Sequence, residues 1–82
     1  MKIITYGKQE SRYALICMLK DRKTNECVDN TIRYYNSDDL KSLSKIATKL
    51  YENLLDNSEL LDKCIFDMSV YDYKEHHYVR GY

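Results

Sequence analysis

SDDLKSLSKIATKLYENLLD, residues 37–56, decides the fold, because it carries the clearest helical pattern in the chain. Its apolar residues recur at spacings of three and four, which places them on one face of a helix. These residues are Leu40, Leu43, Ile46, Ala47, Leu50, Tyr51 and Leu54. Ser37 is placed to act as the N-cap, and the two aspartates after it lie where the helix dipole favours negative charge. The pattern predicts an amphipathic helix from about Asp38 to Asp56.

Three strand patterns precede this helix. Residues 2–6, KIITY, are β-branched and aromatic and end at Gly7. Residues 12–19, RYALICML, are apolar on both faces, which predicts a strand at the centre of the sheet. A charged turn follows, in which Asn25 is the best candidate for a left-handed backbone conformation. Residues 26–35 then alternate between apolar and polar side chains, which is typical of a strand that half faces water.

The segment after the helix has two interpretations. Asn57 is a candidate left-handed C-cap, and Ser58 a candidate cap for a short second turn. Residues 60–68 fit both a helical period and strand alternation, but the valine and tyrosines that follow favour a strand. We therefore predict a helical turn at 58–62 and a strand from about Cys64 to Tyr73. Residues 76–82 extend this strand, fold back as an edge strand or stay unordered, since no glycine-containing turn precedes them.

These elements follow the order β-β-β-α-β, with a fifth strand if the last segment folds back. The order predicts an α+β protein, in which a small antiparallel sheet of four or five strands carries one long amphipathic helix on one face. A chain of 82 residues cannot divide its core, so we expect a single domain over residues 1–82. Because one helix covers one face, the other face is expected to be partly bare and rich in tyrosine.

The composition argues against several classes of protein. Thirteen Lys and Arg residues balance thirteen Asp and Glu residues, so no overall field attracts nucleic acid or an anionic membrane. Cys17, Cys27 and Cys64 are odd in number and widely spaced, which argues against a disulfide framework or a zinc site. The N-terminal apolar run is too short for a signal peptide, and no stretch is long enough to span a membrane. We expect a cytoplasmic protein without a membrane partner.

Motifs for catalysis, metal binding or cofactor binding are absent from the sequence. His76 and His77 are adjacent, so on a strand they point to opposite faces and cannot hold one ion together. Cys17 lies in the most apolar run, which is typical of a small buried hydrophobic residue rather than a nucleophile. The chain has no glycine-rich phosphate loop and no GxSxG motif. We expect a protein that is not an enzyme and uses no metal or cofactor.

The most distinctive candidate site is IFDMSVYDYKE, residues 65–75, where acidic residues and tyrosines are interleaved. Such a segment could present negative groups separated by flat aromatic surfaces, which suits a basic groove that normally takes nucleic acid. Tyrosine gives a large contact area at low entropic cost and is enriched in interface cores. The simpler alternative is that these tyrosines only cover a sheet face. The predicted protein-binding residues are Asp67, Tyr71, Asp72, Tyr73, Glu75 and Tyr78.

A basic row on the helix suggests a different function. Lys41, Lys45 and Lys49 recur every four residues away from the apolar stripe, and with Arg33 they could follow a phosphate backbone. Three strands followed by a helix also resemble the small DNA-binding domains at the start of some phage integrases, which implies DNA binding. An ordinary solvated helix face has the same pattern, and the zero net charge argues against DNA.

The length, the lack of catalytic motifs and the Lys-, Asn-, Ile- and Tyr-rich composition are similar to those of small accessory proteins of phages and mobile elements. These include inhibitors of host nucleases and anti-CRISPR proteins. The resemblance implies a stoichiometric inhibitor of a host nucleic-acid enzyme. The expected function is thus a small protein-binding module that uses its tyrosine-rich face or last edge strand, with another protein or a second copy of itself as partner. The alternative is a nucleic-acid-binding regulator.

Overall fold

The computed structural model describes residues 2–80, which form a five-stranded mixed sheet and two helices. The strands are β1 (Ile3–Tyr6), β2 (Tyr13–Asp21), β3 (Ile32–Ser37), β4 (Cys64–Asp72) and β5 (His77–Tyr78). The helices are α1 (Leu40–Leu55) and α2 (Ser58–Lys63), which both lie between β3 and β4 in the chain. The predicted α+β class is confirmed, and the short turn predicted at 58–62 is the second helix.

The strands are arranged in the order β1-β3-β2-β4-β5. β2 is antiparallel to both β3 and β4, and β4 is antiparallel to β5, but β1 runs parallel to β3 with Ile3 opposite Ile32. The prediction of a wholly antiparallel sheet is therefore wrong at this edge. The hairpin of β2 and β3 inserts β3 between β1 and β2, so β1 pairs with a strand that is distant in sequence.

β2 is the central strand, as its apolar pattern predicts. All nine of its residues pair with β4, from Tyr13 opposite Asp72 to Asp21 opposite Cys64. Gly7 ends β1 with a positive φ of 79°, and a Cβ atom there would overlap the carbonyl oxygen of Asn36. A side chain is excluded at this turn on both grounds.

The helix boundaries differ from the prediction by two residues at the start and one at the end. Ser37 remains in β3, where it pairs with Tyr13, so Asp39 is the N-cap and its carboxylate accepts a hydrogen bond from the Lys41 backbone N–H. Asn57 is not a left-handed C-cap, because its φ is −119°. Its side chain instead accepts a hydrogen bond from the Leu60 N–H and caps α2, the role predicted for Ser58.

Three described residues other than glycine have a left-handed backbone conformation, and each lies in a turn between two strands. Asn25 is left-handed as predicted, with a φ of 61°, and Asn30 with a φ of 64° delays β3 until Ile32. The last segment does fold back as an edge strand, and His76 supplies the turn with a φ of 57°. His77 and Tyr78 form this strand, and residues 81 and 82 lie outside the described residues.

The core lies between α1 and one side of the sheet, called the covered face below. Leu15, Leu43 and Val70 are fully buried at its centre, and each contributes about 1.5–3 kcal/mol by leaving water. Partly buried side chains surround them on the helix, on the sheet and after β5. These are Tyr13, Tyr35, Leu40, Ile46, Ala47, Leu50, Met68 and Val79.

Candidate functional site

The side of the sheet opposite α1 is called the open face. Strand side chains alternate between the two faces, so the neighbours of the core residues in sequence lie on the open face. Within residues 2–80, neither helix takes part in covering this face, since both pack toward the other side of the sheet. Its side chains are Ile3, Thr5, Ala14, Ile16, Met18, Lys20, Ile32, Tyr34, Asn36, Ile65, Asp67, Ser69, Tyr71 and Tyr78.

A tyrosine cluster stands at one end of the open face, formed by Tyr34, Tyr71, Tyr73 and Tyr78. The reversal from β4 to β5 places Tyr78 opposite Tyr71, and their ring centroids lie 5.0 Å apart at 82°. Tyr73 meets Tyr71 edge-on at 5.1 Å. Each such contact contributes about 0.5–1.5 kcal/mol beyond area burial. The structure therefore brings together three tyrosines of the predicted site and adds Tyr34.

The Tyr73 hydroxyl group is protonated at neutral pH and can donate a hydrogen bond. Burial raises the pKa of Tyr73 above its ordinary value of 10.0, and the neighbouring phenols of Tyr34, Tyr71 and Tyr78 raise it further. Tyr78 is 60% exposed, so its ring offers a large amphipathic surface to a partner. The cluster thus combines ordered aromatic contacts with accessible polar groups.

A shallow hollow of about 310 Å³ lies between this cluster and the edge strand β1. Its lining residues are Ile3, Thr5, Gln9, Tyr34, Asn36 and Tyr73. The lining is uncharged, so the hollow is suited to an apolar or neutral polar side chain from a partner.

The predicted row of acidic groups is not formed. Asp67 does lie on the open face, but its carboxylate is 3.3 Å from the ammonium group of Lys20, which neutralises it. Asp72 points to the other side of the sheet and is only 4% exposed, so it does not share a surface with Asp67 and the tyrosines as the prediction expects. Glu75 is exposed in the turn before β5. Strand alternation explains this separation, because Asp72 follows Tyr71 and must face away from it.

Asp72 instead holds the turn that positions the tyrosines. Arg12 donates to both carboxylate oxygens of Asp72, from Nε at 3.2 Å and from Nη2 at 3.0 Å. The backbone N–H groups of Lys74 and Glu75 donate to the same carboxylate at 2.9 and 3.2 Å. The hydrogen bond from Arg12 and these backbone bonds lower the pKa of Asp72 to about 2 despite its desolvation. This ion pair joins the start of β2 to the end of β4, and sequence patterns gave no signal for it.

The predicted basic residues lie on α1 and on β3. Lys41, Lys45 and Lys49 are exposed on α1. Arg33 points instead toward the covered face, where its Nη1 donates to the carbonyl oxygens of Asn30 and Ile32, both at 2.9 Å. Arg33 therefore lies on the same side of the sheet as α1, and its guanidinium group is occupied by two backbone carbonyl oxygens.

The cysteines and histidines do not converge. Cys17 is 3% exposed, and burial raises the pKa of its thiol to about 11, so it stays protonated at neutral pH. In residues 2–80, no group of three or more His, Cys, Asp or Glu side chains is arranged to hold a metal ion.

Neither described helix combines the length and the apolar character needed to cross a membrane.

The chain was compared with protein-family models, with curated proteins and with solved structures. None of the three comparisons finds a match. Function is therefore inferred from the chain's own residues.

Proposed function

We propose that this protein is a small non-enzymatic binding module that docks another protein on the open face of its sheet. The observation that carries the proposal is the tyrosine cluster, which stands on a face that no helix of residues 2–80 covers. Ile3 lines the hollow beside the cluster, and Ile65 adds exposed apolar area at the other end of β4. Exposed apolar patches of this kind mark interaction sites, and tyrosine is enriched among residues that dominate binding energy.

The charge of the open face defines the chemistry of the partner. Lys20 and Asp67 neutralise each other, and the remaining side chains of the face are uncharged. A basic groove would find no acidic row here, since Asp72 is buried. The partner surface that fits is apolar at its centre, with acceptors for the tyrosine hydroxyl groups around it.

The size of the face bears on affinity. Five strands about 4.8 Å apart, of which the two longest are about 30 Å and the other three are shorter, give a footprint on the order of 500 Å². A standard interface buries about 800 Å² on each partner. The complex therefore also uses adjoining loops or belongs to the weaker, transient class.

The proposal also names a class of partner protein. We assign it to host nucleic-acid enzymes, with anti-CRISPR-like inhibition as the outcome, on the resemblance to phage and mobile-element accessory proteins alone. A cytoplasmic location belongs to the same proposal and is supported by three free cysteines, Cys17, Cys27 and Cys64. Inhibition by covering a working surface requires no catalytic group in this chain.

The alternative, a nucleic-acid-binding regulator, uses Lys41, Lys45 and Lys49 on α1 together with Arg33. It remains a prediction. It requires salt-dependent binding to duplex DNA that is lost when the three lysines become glutamate.

Photocrosslinking tests the docking face directly. p-Benzoylphenylalanine is placed at Tyr78 on the open face or at Tyr51 on α1, which are matched exposed tyrosines at 60% and 49%. In host cells, the probe at Tyr78 is expected to give one discrete crosslinked adduct. The protein in that adduct, once purified, is expected to bind this chain at 1:1. The Tyr78→Ala variant is expected to bind it more weakly. No adduct from Tyr78, or the same adduct from both positions, would overturn the proposal.

A second copy of this chain is the competing occupant of the open face. An adduct with the mass of a homodimer, together with a dimer in analytical ultracentrifugation, would replace the host partner by self-association. A monomer in ultracentrifugation with a heterologous adduct supports the proposal.

A further inference from the structure

A cleft of about 310 Å³ opens on the covered side, between the sheet and the C-terminal half of α1, with α2 at one end. It lies on the side of the sheet away from the tyrosine cluster. Its walls are mainly apolar, and Cys17, Leu19, Leu50, Leu54, Leu60 and Phe66 contribute to them. The neutral polar residues Thr31, Asn53 and Asn57 also line the cleft. This volume falls at the small end of ligand pockets, which run from about 300 to 1,000 Å³.

Arg33 is the one charged side chain that lines this cleft among residues 2–80. Its guanidinium group is held in place by the carbonyl oxygens of Asn30 and Ile32, both of which bond to Nη1. The ion pairs of the described chain do not include Arg33. A fixed cation thus stands beside an apolar wall without a carboxylate to balance it.

The field of Arg33 reaches into the cleft. It opposes the effect of burial on the pKa of both Cys17 and Tyr35, which are raised by desolvation and lowered by this charge. The Cys17 thiol is protonated at neutral pH, so it adds no negative charge to the wall. The electrostatic environment of the cleft is therefore positive on one side and neutral elsewhere.

We infer that the cleft binds a small single-chain amphipathic carboxylate, with its acyl chain against the leucines and Phe66 and its carboxylate at Arg33. Arginine matches a carboxylate in shape, and a charged hydrogen bond in a partly desolvated site is stronger than one in water. The chain of the ligand buries apolar surface that the cleft leaves in contact with solvent. This inference does not rest on the docking proposal, since the two sites lie on opposite sides of the sheet.

Calorimetric titration with decanoate tests the inference, with uncharged decyl glucoside as the neutral comparison. The wild-type protein is expected to bind one decanoate saturably and decyl glucoside at least about tenfold more weakly, because only the carboxylate engages the guanidinium group. Amide chemical-shift changes are expected at Leu50, Leu54 and Phe66. Saturable binding with shifts confined to the tyrosine cluster would contradict the assignment.

Variants separate a loss of binding from a loss of folding. Arg33→Gln is expected to weaken decanoate binding at least about tenfold, while Arg33→Lys, which keeps the charge, loses less. Lys45→Gln, which removes an exposed cation from α1, leaves the affinity unchanged. Equal affinity for wild type and Arg33→Gln, or no saturable binding to a folded wild-type protein, would overturn the inference.

Analytical ultracentrifugation at the protein concentration of the titration tests whether a second copy of the chain occupies the cleft instead. A dimer that excludes decanoate would show that a second copy fills the cleft, and the inference would then be wrong. A monomer that binds decanoate supports it.

Discussion

The two faces of the sheet are made from neighbouring residues of the same strands, yet they have different environments. Leu15 is fully buried under α1, whereas Ile16, the next residue of β2, is only half-buried on the open face. Val70 and Tyr71 differ in the same way on β4. Because both faces of β2 are apolar, hydrophobicity alone does not separate them. The position of the helix does.

The same comparison applies to two acidic residues of β4. Asp72 lies on the covered side and makes four hydrogen bonds, two of them to Arg12. Asp67 lies on the open face and has one partner, Lys20, in an ion pair with both side chains substantially exposed. The face on which each aspartate lies therefore sets its role. Asp72 stabilises the fold on the covered side, and Asp67 neutralises Lys20 on the open face.

The largest expected effect comes from truncating adjacent residues of β2. Leu15→Ala removes a fully buried side chain from under Leu43 and is expected to lower the free energy of unfolding by about 2–5 kcal/mol. Ile16→Ala is expected to cost about 1 kcal/mol or less, since Ile16 already contacts solvent. Urea denaturation followed by circular dichroism measures both. Equal losses would mean that the open face is sealed, for example by a second copy.

The next largest effect is expected on the acid dependence of stability that Asp72 produces. The folded pKa of about 2 lies below the ordinary value of 3.8, so the ionised carboxylate stabilises the fold above pH 4, and this contribution is lost as the pH falls toward 2. Asp72→Asn is expected to lower Tm by several degrees at pH 7 and to flatten this acid dependence. Asp67→Asn is the control, with an expected change of about 0.2–1 kcal/mol or less. An unchanged acid profile in Asp72→Asn would contradict the role assigned to Asp72.

A smaller effect is expected from the exposed aromatic rings. Tyr78→Ala removes one edge-to-face contact and is expected to cost about 0.5–1.5 kcal/mol of stability. The same change is expected to weaken binding of a docked partner at least tenfold, or about 1.4 kcal/mol. Tyr51→Ala, on α1, leaves partner affinity unchanged. Thermal unfolding and a titration with the crosslinked partner provide the two measurements, and equal affinities of both variants would contradict docking at the open face.

The smallest effect is expected from the lysines of α1. Changing Lys41, Lys45 and Lys49 together to glutamate is expected to alter stability by about 0.5 kcal/mol or less per site, because all three are exposed. Partner binding is expected to stay the same. A gel shift with duplex DNA at low and moderate salt completes the comparison. Salt-dependent binding that disappears in the triple variant would favour the nucleic-acid alternative instead.

Much of the candidate site follows from local pattern. The placement of Tyr71 and Tyr73 on a strongly aromatic segment and of Lys41, Lys45 and Lys49 on one helix row could be predicted, because strand and helix periods are local. Strict use of alternation would also have separated Asp72 from Tyr71. The contacts of Asp72 could not be predicted, since Arg12 lies 60 residues away in sequence.

The sequence by itself determined the long helix, the central strand and the strand after Cys64, because each depends on a repeat of side chains within a few residues. Only the tertiary structure decided that β1 runs parallel to β3, that Asp72 is buried against Arg12, and that Arg33 faces an apolar cleft. These features depend on pairing between segments far apart in the chain. Such pairing is selected by the free energy of the whole packed protein, which local propensities do not encode.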